Sequence, residues 1–326
     1  MRRGRHRGRL EVAEPAAPGP AVPAGPALHA APGRVLHRPP AGDLALLALA
    51  VAAVSTSAPV IRESGVPTMA LAAWRNVLGA AVFVPLVLLR PRVRADLRAA
   101  DPTDRRLAVV AGVLLGAHFA TWIPSLAYTS VASSVALVAT QPVWAALLAR
   151  LRGFTVGRAA WVGILVALAG SVTLSGVDLS ISPRALVGDG LALVGGMLAA
   201  AYVTVGARAR ATTSTAVFTS LAWSTAAVGL VVTCLVGRVP LGGYDGRGWA
   251  AIGALVLGAQ LLGHAVFGRI LRTTSPTVVS VAILGEAVGS TLLAWAWFGE
   301  RPSAALIPAG LLIGVGIVVV VRAGRN

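Results

Sequence analysis

Glu286 is a carboxylate in the middle of an apolar stretch of the chain. Residues 278–298 are otherwise apolar or small, which is enough for one helix to cross about 30 Å of hydrocarbon at about 1.5 Å per residue. A carboxylate at that depth costs at least about 2.5 kcal/mol on insertion scales, so it needs a compensating role. We expect Glu286 to carry a proton or to bind a substrate amine. A structural hydrogen bond to a neighbouring helix is the alternative.

Three further polar side chains within apolar runs are candidates for the substrate or proton pathway. Gln141 precedes Glu286 by 145 residues, and His118 precedes His264 by 146 residues. Histidine exchanges protons near neutral pH, so two symmetric histidines could line a pathway, whereas satisfied core residues are the alternative. No cysteine or carboxylate pattern accompanies them, so a metal site is not predicted.

Arg75 lies inside the second apolar run, where its long stem could reach the membrane interface. We interpret it either as a substrate contact or as a structural partner of Glu63 on the preceding turn. Glu63 and Glu300, which ends the ninth apolar run, are predicted to be gate or helix-end residues. Trp122 and Trp144 are candidates for an aromatic wall around a substrate, with core packing as the alternative.

The composition indicates a membrane protein with many spans. Of the 326 residues, 56% are hydrophobic and 12% are charged, about half of the roughly 25% charged residues typical of soluble domains. The formal net charge is +16, and all 28 basic residues are arginine. They are spread over a tail and over short loops, not over one folded face, so nucleic-acid binding is not predicted. The single cysteine, Cys234, excludes an intrachain disulfide.

The chain divides into a tail and a series of apolar runs. Residues 1–40 are basic and then rich in Pro, Ala and Gly, which predicts a disordered tail that is either solvated or in contact with anionic lipids. The remainder predicts an all-α integral membrane protein with ten transmembrane helices. The ten apolar runs are 43–61, 67–89, 107–127, 131–149, 159–176, 187–206, 214–236, 249–270, 276–298 and 303–322.

The arginines also predict an orientation. With the N-terminus in the cytoplasm, the cytoplasmic segments hold 22 of the 28 arginines and the segments on the other side hold five. Positive loops stay in the cytoplasm, so we expect both termini there and the protein in the inner or plasma membrane.

The two halves of the chain resemble each other. Residues 143–149 (VWAALLA) align with 288–294 (VGSTLLA), and the offset stays at 145–146 residues along the chain. We therefore divide the chain into two five-helix repeats, 41–180 and 181–326. Five is an odd number, so the two repeats are expected to cross the membrane in opposite orientations, as in many secondary transporters.

The sequence resembles the drug/metabolite transporter superfamily, specifically its ten-helix EamA-like members, over about residues 43–322. The resemblance rests on AAWRN around Arg75, on residues 126–149 with Pro142 midway along the predicted fourth helix, on 188–210 and on 283–303. It implies a secondary-active exporter of small metabolites or drugs that works by alternating access, with Pro142 among the pathway residues. Proton coupling is a hypothesis based on Glu286 and the two histidines.

Missing motifs narrow the mechanism. Without lysine there is no Walker A motif, and neither H-E-x-x-H nor G-x-S-x-G occurs, so we expect no cofactor and no enzyme. The expected partners are a small-molecule substrate, membrane lipids and, in a homodimer, a second copy of the chain. Two alternatives stay open: a lipid-carrier flippase of the same fold, with a lateral opening, and a non-transporting membrane enzyme.

Overall fold

The computed structural model describes residues 41–129, 134, 137–175, 182–210, 213–271, 273–299 and 304–323. These residues form helices and connecting turns, with no β-strand among them. The helices are α1 (Ala41–Ser55), α2 (Ser57–Glu63), α3 (Thr68–Leu89), α4 (Pro91–Ala99), α5 (Pro102–Ser125), α6 (Gln141–Leu151), α7 (Arg158–Ser175), α8 (Pro183–Ala209), α9 (Thr215–Val236), α10 (Gly246–Leu255), the π-helix π1 (Val256–His264), α11 (Ala265–Ile270), α12 (Pro276–Ile283), α13 (Gly285–Phe298) and α14 (Leu306–Ala323).

Eight helical stretches of the described residues are long and apolar enough to cross a membrane, which makes this a multi-pass membrane protein. A ninth predicted span, 159–176, corresponds to the shorter apolar helix Arg158–Thr173. The predicted span 131–149 is described only in part, and its described part contains most of α6. The predicted tail, residues 1–40, lies outside the described residues.

Short polar caps begin many of the helices. Asp101, Ser182 and Ser275 each precede a proline at the start of a helix and accept a hydrogen bond from a backbone N–H two or three residues on. Such a cap satisfies one of the free N–H groups of the first turn, and proline lacks the N–H that would otherwise be unpaired. The N–H of Thr103, 2.6 Å from Asp101 Oδ1, also holds the pKa of Asp101 below its ordinary value.

Two predicted spans are interrupted at prolines. The first run divides into α1 and α2 at Thr56, because Pro59 would clash with the carbonyl of Ser55 in a continuous helix. Pro142 lies in the first turn of α6, not midway along a continuous helix as the sequence suggested. This position tolerates proline because a backbone N–H in the first turn has no acceptor within the helix.

Two further spans are irregular without a proline. The ninth run divides into α12 and α13 at Leu284, where the N–H of Leu284 bonds to Val281 O and that of Ala287 to Leu284 O, three residues apart. Gln141 and Glu286, the equivalent residues of the two repeats, therefore both lie in the first turn of a half-helix. The eighth run contains π1 between α10 and α11.

The last spans of the two halves, α7 and α14, pack backbone to backbone. A Cβ at Gly163 would lie 2.8 Å from the carbonyl oxygen of Gly316, and a Cβ at Gly316 would lie 2.6 Å from the nitrogen of Ala167. Gly314 faces no atom within 4 Å. Small residues thus permit the close approach, as in many membrane helix pairs, but Gly316 provides it and Gly314 does not.

Candidate functional site

Arg75 is the centre of a polar cluster between the spans. It lies on α3, and only 1% of its surface is exposed. Its Nε donates to Oε1 of Gln260 at 3.0 Å, and its guanidinium lies 4.5 Å from the centroid of the Phe119 ring. Its Nη2 has no hydrogen-bond partner among the described residues. A cation in this position is expensive, so its neighbours and any ligand that reaches Nη2 must compensate it.

A chain of two amides holds Arg75 in place. Gln260, fully buried in π1, donates from Nε2 to Oδ1 of Asn76 at 3.4 Å, and Asn76 donates from Nδ2 to the carbonyl of Ala72 at 2.8 Å. Each amide therefore has a fixed orientation, and the Gln260 oxygen is directed at Arg75. The sequence pointed to Gln260 in the same way as to Glu286, since it is a lone polar residue in an apolar run, but we did not predict it.

The two histidines both contact the ring of Phe119. The His118 ring centroid is 4.9 Å from that of Phe119, and the His264 ring meets Phe119 edge-on at 5.8 Å. Nδ1 of His118 lies 2.9 Å from the carbonyl oxygen of Gly195, so Nδ1 carries the proton and donates. His118 also stacks on Trp122 at 5.6 Å. The structure thus brings His118 and His264 against the ring of Phe119, which the sequence did not single out, and Trp122 joins this group through His118.

Glu286 completes the cluster from the second half of the chain. It lies in the first turn of α13, where the helix dipole favours a negative charge. Its charge interacts with that of Arg75, which also acts on His118 and His264. None of the described residues donates a hydrogen bond to the Glu286 carboxylate, whereas its backbone carbonyl accepts one from Ser55 Oγ at 3.5 Å. Arg75 therefore acts on this carboxylate through its electrostatic field and not through a direct ion pair.

Gln141, Pro142 and Trp144 form a separate group on α6. Nε2 of Gln141 donates to Oγ of Ser280 on α12 at 3.1 Å, and both residues are buried. Nε1 of Trp144 donates to Oγ1 of Thr140 at 3.0 Å, within its own segment. This second group joins α6 to α12 by a neutral hydrogen bond, with no charged residue in it.

Glu63 is the last residue of α2, and its partner is Arg247, not Arg75. Its Oε2 accepts a hydrogen bond from Nη2 of Arg247 at 2.5 Å, and both side chains are largely exposed. The pair lines an open cleft of about 320 Å³ together with Tyr244 and Asp245. Glu300, the other predicted gate residue, lies outside the described residues. Among the part of the chain that is described, no group of three His, Cys, Asp or Glu side chains could hold a metal ion.

Comparison with known proteins also divides the chain into two repeats. The sequence model of the EamA-like transporter family matches residues 41–176 and again residues 186–322, so the two matches begin 145 residues apart. A solved crystal structure, described only as that of a protein, is similar with a TM-score of 0.72 at 24% identity, covering 87% of this chain and 99% of its own. None of the curated proteins compared with the chain matches it.

Proposed function

Because this chain belongs to the EamA-like transporter family, and hence to the drug/metabolite transporter superfamily, we propose that it is a secondary-active exporter of small metabolites or drugs, driven by protons. Members of the family are transporters, which favours transport over a membrane enzyme. The eight spans of the described residues fit such a carrier.

One observation carries the proposal: the polar cluster is assembled from both repeats. Arg75 and His118 come from the first family match, and Gln260, His264 and Glu286 come from the second. In transporters built from two repeats, substrate and coupling-ion sites lie where the repeats meet near the middle of the membrane. Two ionisable side chains in that place indicate a functional site, because burying charge within a membrane costs free energy that a purely structural role rarely offsets.

In the proposed mechanism, the protonation state of Glu286 controls whether Arg75 binds substrate. While Glu286 is ionised, the two charges compensate each other, and the guanidinium is occupied electrostatically. Protonation of Glu286 removes that compensation, so the buried guanidinium, whose Nη2 has no partner among the described residues, then favours an acceptor group of a substrate, and proton and substrate occupancy become linked. The two repeats then move against each other around this site, which faces each side of the membrane in turn. His118 and His264 line the pathway.

The finer topology belongs to the same proposal. We place ten transmembrane helices in two repeats of opposite orientation, 41–180 and 181–326, after a cytoplasmic tail of residues 1–40. The arginine distribution favours both termini in the cytoplasm and the protein in the inner or plasma membrane. A small-molecule substrate, membrane lipids and a second copy of the chain are the proposed partners.

Transport in proteoliposomes tests this proposal. Metabolite profiling of a deletion strain and its medium first identifies compounds that accumulate inside, and these are then assayed with and without an imposed pH gradient. We expect gradient-driven flux for the wild type and its loss for Glu286→Gln, which keeps the shape of the side chain and removes its charge. Glu63→Gln is the matched control, since Glu63 pairs at the exposed end of the bundle. Full gradient-driven flux in Glu286→Gln contradicts the role of Glu286 as proton carrier.

A further inference from the structure

Helix α4 lies between two membrane spans and is not itself buried. It follows α3 directly, after a change of direction at Arg90, and it precedes α5. None of its residues is buried, and it packs against α3 and α9. Leu88 and Leu89, the last residues of α3, are 62% and 76% exposed, as expected for side chains in contact with lipid. The sequence indicated only a basic loop here, so this helix is an addition to what we predicted.

The side chains of α4 form rows along the helix, with Arg92 and Asp96, four residues apart, on the side opposite Arg94. Arg90, Arg94 and Arg98 follow one another at intervals of four residues, which places them in one stripe along the helix. Val93 and Leu97 are half-buried and occupy the neighbouring face, so the stripe borders the side on which α4 packs. A helix with apolar residues beside a row of cations is suited to the boundary between headgroups and acyl chains.

The stripe has no protein counter-charge among the described residues. The exposed ion pair of Glu63 lies elsewhere, with Arg247. Asp96, the acidic residue of α4 itself, lies on the opposite side of the helix by its spacing from Arg94. Asp101 caps α5 through the N–H of Thr103. Three exposed guanidinium groups are therefore available to anions supplied from outside the chain.

We propose that α4 is an interfacial helix whose stripe of Arg90, Arg94 and Arg98 binds the phosphate groups of anionic phospholipids. Guanidinium groups bind phosphate through paired N–H donors, and their long stems allow the head to reach the headgroup layer while the stem contacts apolar surface. The lipid-facing residues Leu88 and Leu89 immediately before the stripe favour a lipid over a soluble phosphate or a protein. This inference does not depend on transport.

Lipid titration of the full-length chain in detergent micelles, followed by native mass spectrometry, tests this inference. The probes are phosphatidylglycerol and phosphatidylcholine with the same acyl chains, and inorganic phosphate. The test variant is Arg90→Gln/Arg94→Gln/Arg98→Gln. The matched control is Arg150→Gln/Arg158→Gln/Arg208→Gln, which removes the same charge from exposed arginines on other helices. A second variant, with lysine at the three α4 positions, retains the charge.

We expect the wild type to prefer phosphatidylglycerol and the test variant to bind it at least about tenfold more weakly, since each arginine near an anionic surface contributes about fivefold. The control triple and the lysine variant should keep most of the preference. Equal weakening in the test variant and the control triple overturns the assignment to α4. No preference of the wild type over phosphatidylcholine, or saturation by inorganic phosphate alone, overturns the lipid as the ligand. If the test variant does not fold, Arg94→Gln alone replaces it, and an undiminished preference for phosphatidylglycerol in that variant overturns the assignment to α4.

Discussion

Gln141 and Glu286 occupy equivalent positions in the two repeats, yet their surroundings differ. Both lie in the first turn of a half-helix, just after an interruption of the span. The Gln141 amide is buried and bonds to Ser280 at 3.1 Å. The Glu286 carboxylate accepts no hydrogen bond from the described residues and lies in the field of Arg75 without a direct ion pair. The same backbone device therefore presents a satisfied neutral group in one repeat and a charge in the other.

This difference indicates a structural role for Gln141 and a chemical role for Glu286, although the two residues occupy equivalent positions. A neutral hydrogen bond between helices costs little and fixes their contact, whereas a carboxylate and a guanidinium within apolar spans are expensive, and the carboxylate can take up a proton. Arg75 comes from the first half and Glu286 from the second, so the charges also make the halves unequal partners. Of the two equivalent residues, we expect transport to depend on Glu286 and not on Gln141.

The sharpest way to break the comparison is to exchange the two residues. In Gln141→Glu/Glu286→Gln the carboxylate moves to the first repeat, where no charged residue compensates it. We expect gradient-driven flux to remain at least about a hundredfold below wild type, the range that loss of an acid–base group produces. Flux assays in proteoliposomes measure this, with Glu286→Gln alone as the reference. Recovery of flux in the exchanged variant would show that the two positions are interchangeable.

A second prediction concerns the cation. Arg75→Gln removes the charge that compensates Glu286 and breaks the bond to Gln260, so we expect flux to fall at least about tenfold. Arg247→Gln is the control because it breaks an exposed pair, and exposed pairs contribute at most about 1 kcal/mol. Its flux should stay close to wild type. Similar losses in the two variants would mean that Arg75 has no special role.

The neutral side of the comparison predicts an effect on stability. Gln141→Leu and Ser280→Ala should each lower the free energy of unfolding in detergent by about 1 kcal/mol, because each removes a buried hydrogen bond. The double variant should show a coupling of about 0.6 kcal/mol, typical of hydrogen bonds between membrane helices. Proton coupling of transport should be unchanged in all three variants. Loss of coupling with normal stability would place Gln141 in the proton pathway.

The smallest effect is expected at a carboxylate outside the membrane. The pKa of Asp101 is lowered from 3.8, mainly by the N–H of Thr103, so the ionised form is favoured by folding. Its contribution is present above the unfolded pKa and is lost as the pH falls through the lower folded value. Asp101→Asn, also a good helix cap, should flatten the stability profile below the ordinary value and leave flux at neutral pH unchanged. Thermal unfolding between neutral and acidic pH measures it. A change in proton coupling would contradict the distinction from Glu286.

Much of the helical architecture could be predicted because apolar length is a strong signal. Runs such as 67–89 and 214–236 match α3 and α9 within a residue or two. The sequence did not reveal α4, whose nine residues are too short and too polar to give a span. The division at Leu284 and the π-helix Val256–His264 were also missed, since both depend on how a helix packs against its neighbours and not on its own composition.

The sequence predicted how far along its helix each site residue lies, but not which residues it contacts. An isolated polar residue in an apolar run shows its position along the helix, which identified Glu286, His118, His264 and Arg75. It does not show which way the residue faces, because these helices are apolar on every side. Pairings such as Arg75 with Gln260, 185 residues apart, therefore came from the structure alone, as did the separation of Gln141 from the charged cluster. The transport roles of these residues stay predictions.

The π-helix at Val256–His264 has a consequence for chain length. A π-turn holds one residue more than an α-turn, so removal of a single residue there would allow a continuous α-helix. In a regular α-helix an inserted residue would rotate the two flanking segments by roughly 100°, whereas the wider π-turn absorbs it, so α10 and α11 keep the relative rotation of a helix one residue shorter. Trp249 meets Trp74 at a ring distance of 5.2 Å at the opposite end of the span from α11. The π-helix thus accommodates one extra residue without turning this aromatic contact away from the side on which Gln260 and His264 lie nearer the middle of the span.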